Sequence, residues 1–216
     1  MKFIIIILML IQGCSNGGST DEPSRQLTRV AFFGNSITAN APAPDYGWHG
    51  YWGMAASMES LDFVNQAANM LGAIEFEKFF AADWEREVNT YDVSKFKAIT
   101  DYGADLVVAN IGENISNMNT VDDVKRHLLT LMNYIYDHSG SELIIVNSFY
   151  FSTVANTAIA EFCLEQGLVM VDISDMGVNP KYNSLELFDD PGIGSHPSDA
   201  GMLEIANRVV NAINDL

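Results

Sequence analysis

Three polar residues occupy positions from which they could act together on a carbonyl compound: Ser36, Asn114 and His196. Ser36 follows the apolar run 29–33, Asn114 follows the apolar run 105–111, and His196 stands just before the last helical pattern. A serine hydroxyl becomes a good nucleophile when a neighbouring base takes its proton, and histidine titrates in the range that this requires. An amide such as that of asparagine can stabilise the oxyanion formed by attack on a carbonyl carbon. These are the residue types that nucleophilic catalysis by serine needs.

Each of the three residues also has a plain structural explanation. Ser36 stands where a strand gives way to a loop, a common place for a turn or helix-capping serine. Asn114 has the residue type that turns favour, and His196 could be a loop histidine without a task. The elements that carry these residues therefore have to bring them together before a joint role can be assigned.

Short apolar runs alternate with helical patterns from residue 29 onward. The expected strands are 29–33, 61–65, 105–111, 143–147 and 168–173, and the expected helices are 46–58, 75–88, 93–102, 121–138, 154–166 and 198–213. Apolar strands that alternate with helices predict a parallel sheet covered on both faces. In such sheets ligands bind at the carboxyl ends of the strands, which is where the loops of Ser36 and Asn114 are expected.

Composition limits the class of protein and its partners. The chain has 216 residues, a length that suits one domain, because single domains mostly contain roughly 100–250 residues. Its formal net charge of −17 disfavours nucleic acid and anionic lipid headgroups as partners, since both attract Lys and Arg. Two cysteines, Cys14 and Cys163, are too few for a disulfide framework and offer no zinc cluster. We therefore expect no metal site, and Cys163 is expected to be a small core residue.

The first residues have the pattern of an export signal. Lys2 precedes the apolar run 3–11, which is too short to cross a bilayer as a helix. The run that ends in Gly13-Cys14 resembles a bacterial lipoprotein signal, in which the cysteine becomes the lipidated first residue. We therefore expect a signal peptide over 1–13, a flexible tether over 14–26 rich in Ser and Gly, and one folded domain over 27–216. A plain cleaved signal with a coincidental cysteine is the alternative.

The order and placement of three short motifs resemble those of the SGNH (GDSL-type) hydrolases, a family of esterases and lipases. The motifs are Gly34-Asn35-Ser36, where that family has Gly-Asp-Ser, then Gly112-Glu113-Asn114 for Gly-x-Asn, and His196-Pro197 before the last helix. The resemblance extends over about 30–214. It implies a flavodoxin-like three-layer α/β/α sandwich with a five-stranded parallel sheet, and chemistry that needs no cofactor.

The resemblance also implies a role for each site residue. Ser36 is the expected nucleophile and His196 the expected acid and base. The expected oxyanion hole consists of the backbone N–H of Ser36, the side chain of Asn114 and a third donor after the second strand. The family has Asn-x-Gly at that third place, and the corresponding run here is 65–67, so the third donor is expected at Ala67.

One departure from the family concerns the acid that orients the histidine. The family usually has an aspartate three residues before the histidine, and this chain has Ile193 there. The site could work as a dyad of Ser36 and His196, or a backbone carbonyl could hold the ring. Another carboxylate could also replace the aspartate, and the candidates are Asp189, Asp190 and Glu113.

Taken together, these features predict a secreted, lipid-tethered esterase of the bacterial cell envelope that contacts the membrane only through Cys14. The expected reaction is hydrolysis of a small acyl ester, acetyl above all, on a carbohydrate through an acyl-Ser36 intermediate. A lysophospholipase or thioesterase would use the same mechanism. A different class remains open, a catalytically degraded surface protein that binds glycans, and it is suggested by Ile193 and Ala67.

Aromatic residues between the first two expected strands have two interpretations. Trp48, His49, Tyr51 and Trp52 could form a platform for a sugar ring, or they could be the buried face of the helix expected over 46–58.

Overall fold

The computed structural model describes residues 27–216. The signal peptide, the tether and the lipidation of Cys14 concern residues outside this range and stay predictions. Within the described range, no helix combines the length and the apolar character needed to cross a membrane.

Five parallel strands form the centre of the molecule. They are β1 (Arg29–Gly34), β2 (Glu75–Phe80), β3 (Leu106–Asn110), β4 (Glu142–Val146) and β5 (Val169–Val171). Their order across the sheet is β2-β1-β3-β4-β5, so β1 and β3 are neighbours although a strand separates them in sequence. The expected five-stranded parallel sheet is confirmed.

Helices connect the strands and cover the sheet. They are α1 (Phe63–Leu71), α2 (Ala82–Arg86), α3 (Lys97–Tyr102), α4 (Val121–Ser139), α5 (Thr153–Gln166), the short α6 (Pro191–Gly194) and α7 (Asp199–Asn214), with 3-10 turns at Pro44–Tyr46, Glu59–Leu61 and Val93–Phe96. Most helices begin after a capping side chain. For example, the Ser198 hydroxyl accepts a hydrogen bond from the third residue of α7, which stabilises the start of that helix.

Alternation along the strands creates two separate cores. Val30 and Phe32 of β1 face the layer formed by α1 and α7, whereas Ala31 and Phe33 face the layer formed by α2 to α5. Successive side chains of a strand point to opposite faces, so each strand contributes to both layers. The expected three-layer α/β/α sandwich is therefore confirmed. Cys163 is buried in the second layer, as expected for a small core residue.

The second strand lies elsewhere than expected. Residues 61–65 do not form a strand, because the Asp62 carboxylate accepts a hydrogen bond from the Asn65 amide and so begins α1. The strand is instead β2, within the helix expected over 75–88. As an edge strand it is only half-buried, and its charged residues gave the run a helical pattern.

The helix expected over 46–58 is also absent from the structure. This segment is an irregular loop, and it packs on the loop of Ser36 through a hydrogen bond of 2.8 Å from the Met54 amide to the Ser36 carbonyl oxygen. Ala55 has a φ of +73°, a left-handed conformation that side chains other than glycine rarely adopt. Surrounding contacts must hold this residue in place, and Ala55 is buried against Trp48 and Ile193.

The buried carboxylate of Asp62 connects the loop over 46–58 with strand β2 of the sheet. Its Oδ2 accepts from Lys78 Nζ of β2 at 2.7 Å and from the Gly53 amide at 3.2 Å, while Oδ1 accepts from Asn65. The Asp62 side chain is fully buried and that of Lys78 is 14% exposed. A buried ion pair that loses one partner leaves the other charge uncompensated.

We expect Asp62→Ala to lower the free energy of unfolding by about 3 kcal/mol, since it removes the helix cap and leaves Lys78 without its buried partner. Asp101→Ala is the control, because it removes an exposed ion pair with Lys97 and should cost less than about 1 kcal/mol. Urea unfolding followed by circular dichroism measures both. Equal losses for the two variants would show that the Asp62 pair contributes no more than a surface pair.

Candidate active site

The loops that follow β1 and β3 leave the sheet side by side. Gly34 pairs with Asn110 at the carboxyl ends of these strands, so the segments that carry Ser36 and Asn114 start next to each other. A Cβ atom at Gly34 would lie 2.6 Å from the Asn110 carbonyl oxygen and would also collide with Thr38. Glycine is therefore needed at this position for the close approach of the two loops.

Ser36 and His196 are in hydrogen-bond contact. The Ser36 hydroxyl oxygen lies 2.8 Å from His196 Nε2, although the two residues are far apart in sequence. His196 reaches this place from the turn between α6 and α7, and its other ring nitrogen, Nδ1, lies 2.8 Å from the Gly192 carbonyl oxygen. A carbonyl oxygen can only accept, so Nδ1 carries the proton and Nε2 of the neutral ring is free to accept from Ser36.

The environment of His196 favours the neutral ring. Burial lowers the pKa of His196 below its ordinary value, and this outweighs the opposing effect of the hydrogen bonds with Gly192 and Ile193. The ring of Tyr150 stands edge-on to the His196 ring at a centroid distance of 5.9 Å. A histidine that stays neutral near pH 7 can act as a general base.

The carboxylates considered as replacements for the missing aspartate are all engaged elsewhere or exposed. Glu113 accepts from the Phe149 amide at 2.6 Å and contacts Ser148, so it braces the loop after β4. Asp190 caps α6 by accepting from the Ile193 amide at 3.1 Å, and Asp189 is exposed. Among the described residues, the hydrogen-bond partner of His196 Nδ1 is the backbone of Gly192. The open alternative that a backbone carbonyl holds the ring is the one that the geometry matches.

Ile193, which stands where an aspartate was expected, is part of a small apolar cluster. It is buried together with Trp48 and Ala55, and Trp52 and Phe188 pack around them. The side chain thus packs α6 against the loop that follows Ser36, and it also lines the cavity that Ser36 and His196 share.

Asn114 lies beside Ser36 at the edge of the sheet and is held there by Glu85, a residue that the sequence patterns do not indicate. Asn114 Nδ2 donates to Glu85 Oε2 at 2.5 Å, and the backbone amide of Asn114 donates to the same oxygen at 3.1 Å. Glu85 belongs to α2 and is fully buried. No motif or spacing pointed to it, because a glutamate within an expected helix normally faces solvent.

Ala67 is not an oxyanion donor, contrary to the expectation from the sequence. It lies in the middle of α1, fully buried in the core against β1, because the strand that should precede it is absent. The segment that follows the true second strand is Ala81–Ala82. The Ala81 amide donates to the Gly34 carbonyl oxygen, which leaves Ala82 as the next backbone amide along the chain.

A cavity of about 310 Å³ opens above Ser36 and His196. It is lined by Ser36, Asn40, Ala43, Tyr46, Met54, Arg86, Asn114, Asp190, Gly192, Ile193 and His196. The three residues that the sequence singled out therefore share one opening, and its volume is at the small end of the range for ligand sites, roughly 300–1,000 Å³.

The aromatic residues near position 50 form neither a helix face nor a continuous platform. Trp48 is buried and Trp52 half-buried, with their rings edge-on at a centroid distance of 5.5 Å. His49 and Tyr51 are exposed. The aromatic residue of this segment that lines the cavity is Tyr46.

The proton on the Glu113 carboxyl can be inferred from its contacts. The Ser148 hydroxyl oxygen lies 2.6 Å from Glu113 Oε2 and 2.7 Å from the Tyr150 carbonyl oxygen. A hydroxyl has one proton, so both contacts are hydrogen bonds only if Glu113 is protonated and donates to Ser148. Desolvation agrees with this, because it raises the pKa of Glu113 from 4.5 to about 8.

Comparison with known proteins identifies the fold. No protein-family model matches the chain, and no curated protein matches it in sequence. Among solved structures, a protein described as a GDSL-like lipase from Bacteroides ovatus is similar with a TM-score of 0.59 and 13% identity, over 89% of this chain and 100% of that one. A salicylyl-acyltransferase from a tetracycline biosynthetic pathway has a TM-score of 0.61 and 14% identity, over 89% of this chain and 55% of that one.

A third similar structure is a two-domain esterase active on acetylated mannans, with a TM-score of 0.54 and 14% identity. The similarity covers 87% of this chain and 49% of that one, so this chain spans about half the length of that esterase. At these identities the comparisons show a shared fold, the three-layer α/β/α fold of GDSL-like proteins.

We expect Glu113→Gln to flatten the pH dependence of stability. Glu113 has a higher pKa when folded, so its contribution is complete below pH 4.5 and is lost as the pH rises to about 8. The free energy of unfolding of the natural chain should fall by at most about 1.4 kcal/mol per pH unit from this group. Glutamine can still accept from Phe149 and donate to Ser148 but cannot also accept from the Tyr150 amide, so the variant should fold with slightly lower stability and without this slope.

Urea unfolding at pH 5, 6, 7 and 8 measures the slope, with Glu186→Gln, an exposed glutamate, as the control. Parallel curves for the natural chain and Glu113→Gln would mean that Glu113 is ionised throughout.

Proposed function

We propose that this protein is a serine esterase that hydrolyses small acyl esters through a covalent acyl-Ser36 intermediate, with His196 as acid and base. The observation that carries the proposal is the contact of 2.8 Å between Ser36 Oγ and His196 Nε2, in a ring whose Nδ1 is fixed by the Gly192 carbonyl. Asn114 lines the same cavity.

In the proposed reaction, Ser36 Oγ attacks the ester carbonyl carbon while its proton passes to His196 Nε2. The carbonyl oxygen becomes an oxyanion, and collapse of this intermediate breaks the bond to the alcohol, which leaves with the proton from His196. Water then attacks the acyl-enzyme and gives its proton to His196, and the acid leaves as the proton returns to Ser36 Oγ.

The oxyanion is stabilised by N–H donors that are in place before the reaction. The Asn114 amide has two hydrogens, and one is used by Glu85, so the second is available to the cavity. The backbone amide of Ser36 is a further donor, and Ala82 replaces Ala67 as the candidate third donor. Donors that are aimed in advance stabilise the developing charge without reorganisation.

The Gly192 carbonyl does part of what an aspartate does in a triad. It selects the tautomer and orients the ring, because it accepts from Nδ1 at 2.8 Å. Being neutral, it stabilises the imidazolium less than a carboxylate would, and its hydrogen bond raises the pKa of His196 by less than burial lowers it.

We further propose that the ester is an acetyl or similarly small acyl group on a carbohydrate. Support comes from the small cavity and from the similarity to an esterase active on acetylated mannans. Lysophospholipids and thioesters could be cleaved by the same residues, and a panel of these substrates compares the classes. Export as a lipoprotein anchored at Cys14 belongs to the same proposal and accords with a cell-surface glycan substrate.

Ser36→Ala should reduce kcat/KM for p-nitrophenyl acetate by about 10³-fold or more, because no other group can form the acyl-enzyme. Residues 27–216 are assayed by release of p-nitrophenol, and mass spectrometry of the natural chain should detect an added acetyl group on Ser36. Asp189→Ala is the matched control and should keep the natural rate, since Asp189 is exposed. If Ser36→Ala and the natural chain hydrolyse the ester equally, the esterase proposal fails and the glycan-binding class remains.

The acid limb of the kcat/KM profile should have its midpoint below pH 6.5, the ordinary value for histidine. Protonated His196 cannot take the Ser36 proton, so activity falls as the pH drops through its pKa, which burial has lowered. Initial rates from pH 4 to 9 at substrate concentrations well below KM test this. A midpoint above 6.5 would indicate a nearby negative charge that stabilises the imidazolium.

A further inference from the structure

We propose that Glu85 is a positioning residue whose ionised carboxylate holds the Ser36 loop and the Asn114 loop in the arrangement needed for catalysis. The inference deepens the proposed function and depends on it for the meaning of Asn114 as an oxyanion donor. Glu85 touches neither Ser36 nor the cavity directly and acts through the residues that it binds.

Four N–H groups converge on the Glu85 carboxylate. Oε1 accepts from Asn35 Nδ2 at 3.1 Å and from the Gly112 amide at 2.6 Å. Oε2 accepts from the backbone amide of Asn114 at 3.1 Å and from Asn114 Nδ2 at 2.5 Å. One side chain on α2 therefore connects the loop after β1 with the loop after β3.

These contacts require the ionised form. All four partners are donors, and an ionised carboxylate has about four lone-pair positions to accept them. A protonated Glu85 would point its hydrogen at one of these N–H groups. Burial raises the pKa of Glu85 and outweighs the four hydrogen bonds that lower it, so the ionised form is inferred from the four donors. The neighbouring Glu113, by contrast, has an acceptor for its proton in Ser148.

Glu85 fixes the orientation of the Asn114 amide. With one Nδ2 hydrogen and the backbone N–H of Asn114 bound to the same oxygen, the amide group cannot rotate freely. Its second hydrogen then has a fixed direction relative to the cavity. The Gly112 amide is held by the other oxygen, and Gly112 has a φ of +125°, so the whole turn before Asn114 is set by this carboxylate.

Glu85 also acts on the Ser36 loop through Asn35. Asn35 Nδ2 donates to Glu85, while Asn35 Oδ1 accepts from the Ile37 amide at 3.0 Å and so closes the turn around Ser36. An aspartate at position 35 would place two carboxylates against each other. Asn35 and Glu85 are therefore complementary, one as donor and the other as acceptor.

The helix that carries Glu85 is anchored in the core. Trp84 of α2 is buried in the same cluster as Phe33 of β1, which is next to the strand end that leads to Ser36. A carboxylate on an anchored helix can hold two loops, because its own position does not depend on them.

The test is a cycle of three variants: Glu85→Gln, Asn35→Asp and the double variant. Glutamine turns N–H groups toward N–H donors, so Glu85→Gln should reduce kcat by about 10- to 100-fold with KM changed less than about 3-fold. Asn35→Asp should also reduce kcat, because two carboxylates face each other. In the double variant the amide introduced at position 85 can donate to the carboxylate introduced at position 35. Its loss should therefore be smaller than the product of the two single losses, although the same amide nitrogen meets the Gly112 N–H that Glu85 Oε1 accepts.

Glu87→Gln is the matched control, an exposed glutamate next to the end of the same helix, and it should leave kcat unchanged. Thermal unfolding and near-ultraviolet circular dichroism of each variant identify any that does not fold. If one single variant does not fold, the kcat of the double variant is compared with that of the other single variant.

The rate constant for modification of Ser36 by a fluorophosphonate gives a readout that does not need turnover. It should fall in Glu85→Gln in parallel with kcat, because phosphonylation uses the same nucleophile and oxyanion donors. If the natural chain is modified at Ser36 in a Glu85-dependent way but hydrolyses no ester, the proposed function fails and the positioning role stands. Modification at the natural rate in Glu85→Gln, losses that multiply in the double variant, or no modification of the natural chain would each overturn the positioning role.

Discussion

The candidate site depends on one buried carboxylate that must have all its acceptor positions filled. Glu85 is buried between the loops after β1 and β3, and both loops supply its donors, through Asn35 on one side and through Gly112 and Asn114 on the other. An unsatisfied buried charge costs several kcal/mol, so the native state is favoured only when both loops are in place. Ser36 and Asn114 are thereby held at a fixed spacing before any substrate binds.

Much of the fold could be predicted from the sequence, because buried strands and amphipathic helices have strong patterns. Strands β1, β3 and β4 and helices α4, α5 and α7 lie within a few residues of their expected positions. The edge strand β2 could not be found, since its half-buried, charged residues are equally compatible with a helix. The run 61–65 has the composition of a strand, but the hydrogen bond between Asp62 and Asn65 begins a helix instead. The helix cap at Asp62 thus outweighs the strand propensity of the run 61–65.

The residues of the site likewise divide into those that the sequence predicts and those that it does not. Ser36, Asn114 and His196 could be found because their motifs lie at loop positions that the parallel sheet brings together. The group that holds the histidine could not, since it is a backbone carbonyl and every residue has one; only the path of the chain places that of Gly192 next to Nδ1. Glu85 could not be predicted for a similar reason, because glutamate is common in helices and its burial depends on where α2 packs.

The burial of Ile193 limits which side chains position 193 can hold. Its side chain fills the space between Trp48 and Ala55, and Ala55 is held in a left-handed conformation by its surroundings. An aspartate introduced there would place an unpaired charge in an apolar cluster and would lose the packing as well. A carboxylate at position 193 therefore requires compensating changes in the facing loop. Positions 48, 55 and 193 are therefore coupled, and a substitution at one of them is expected to be tolerated best together with a change at another.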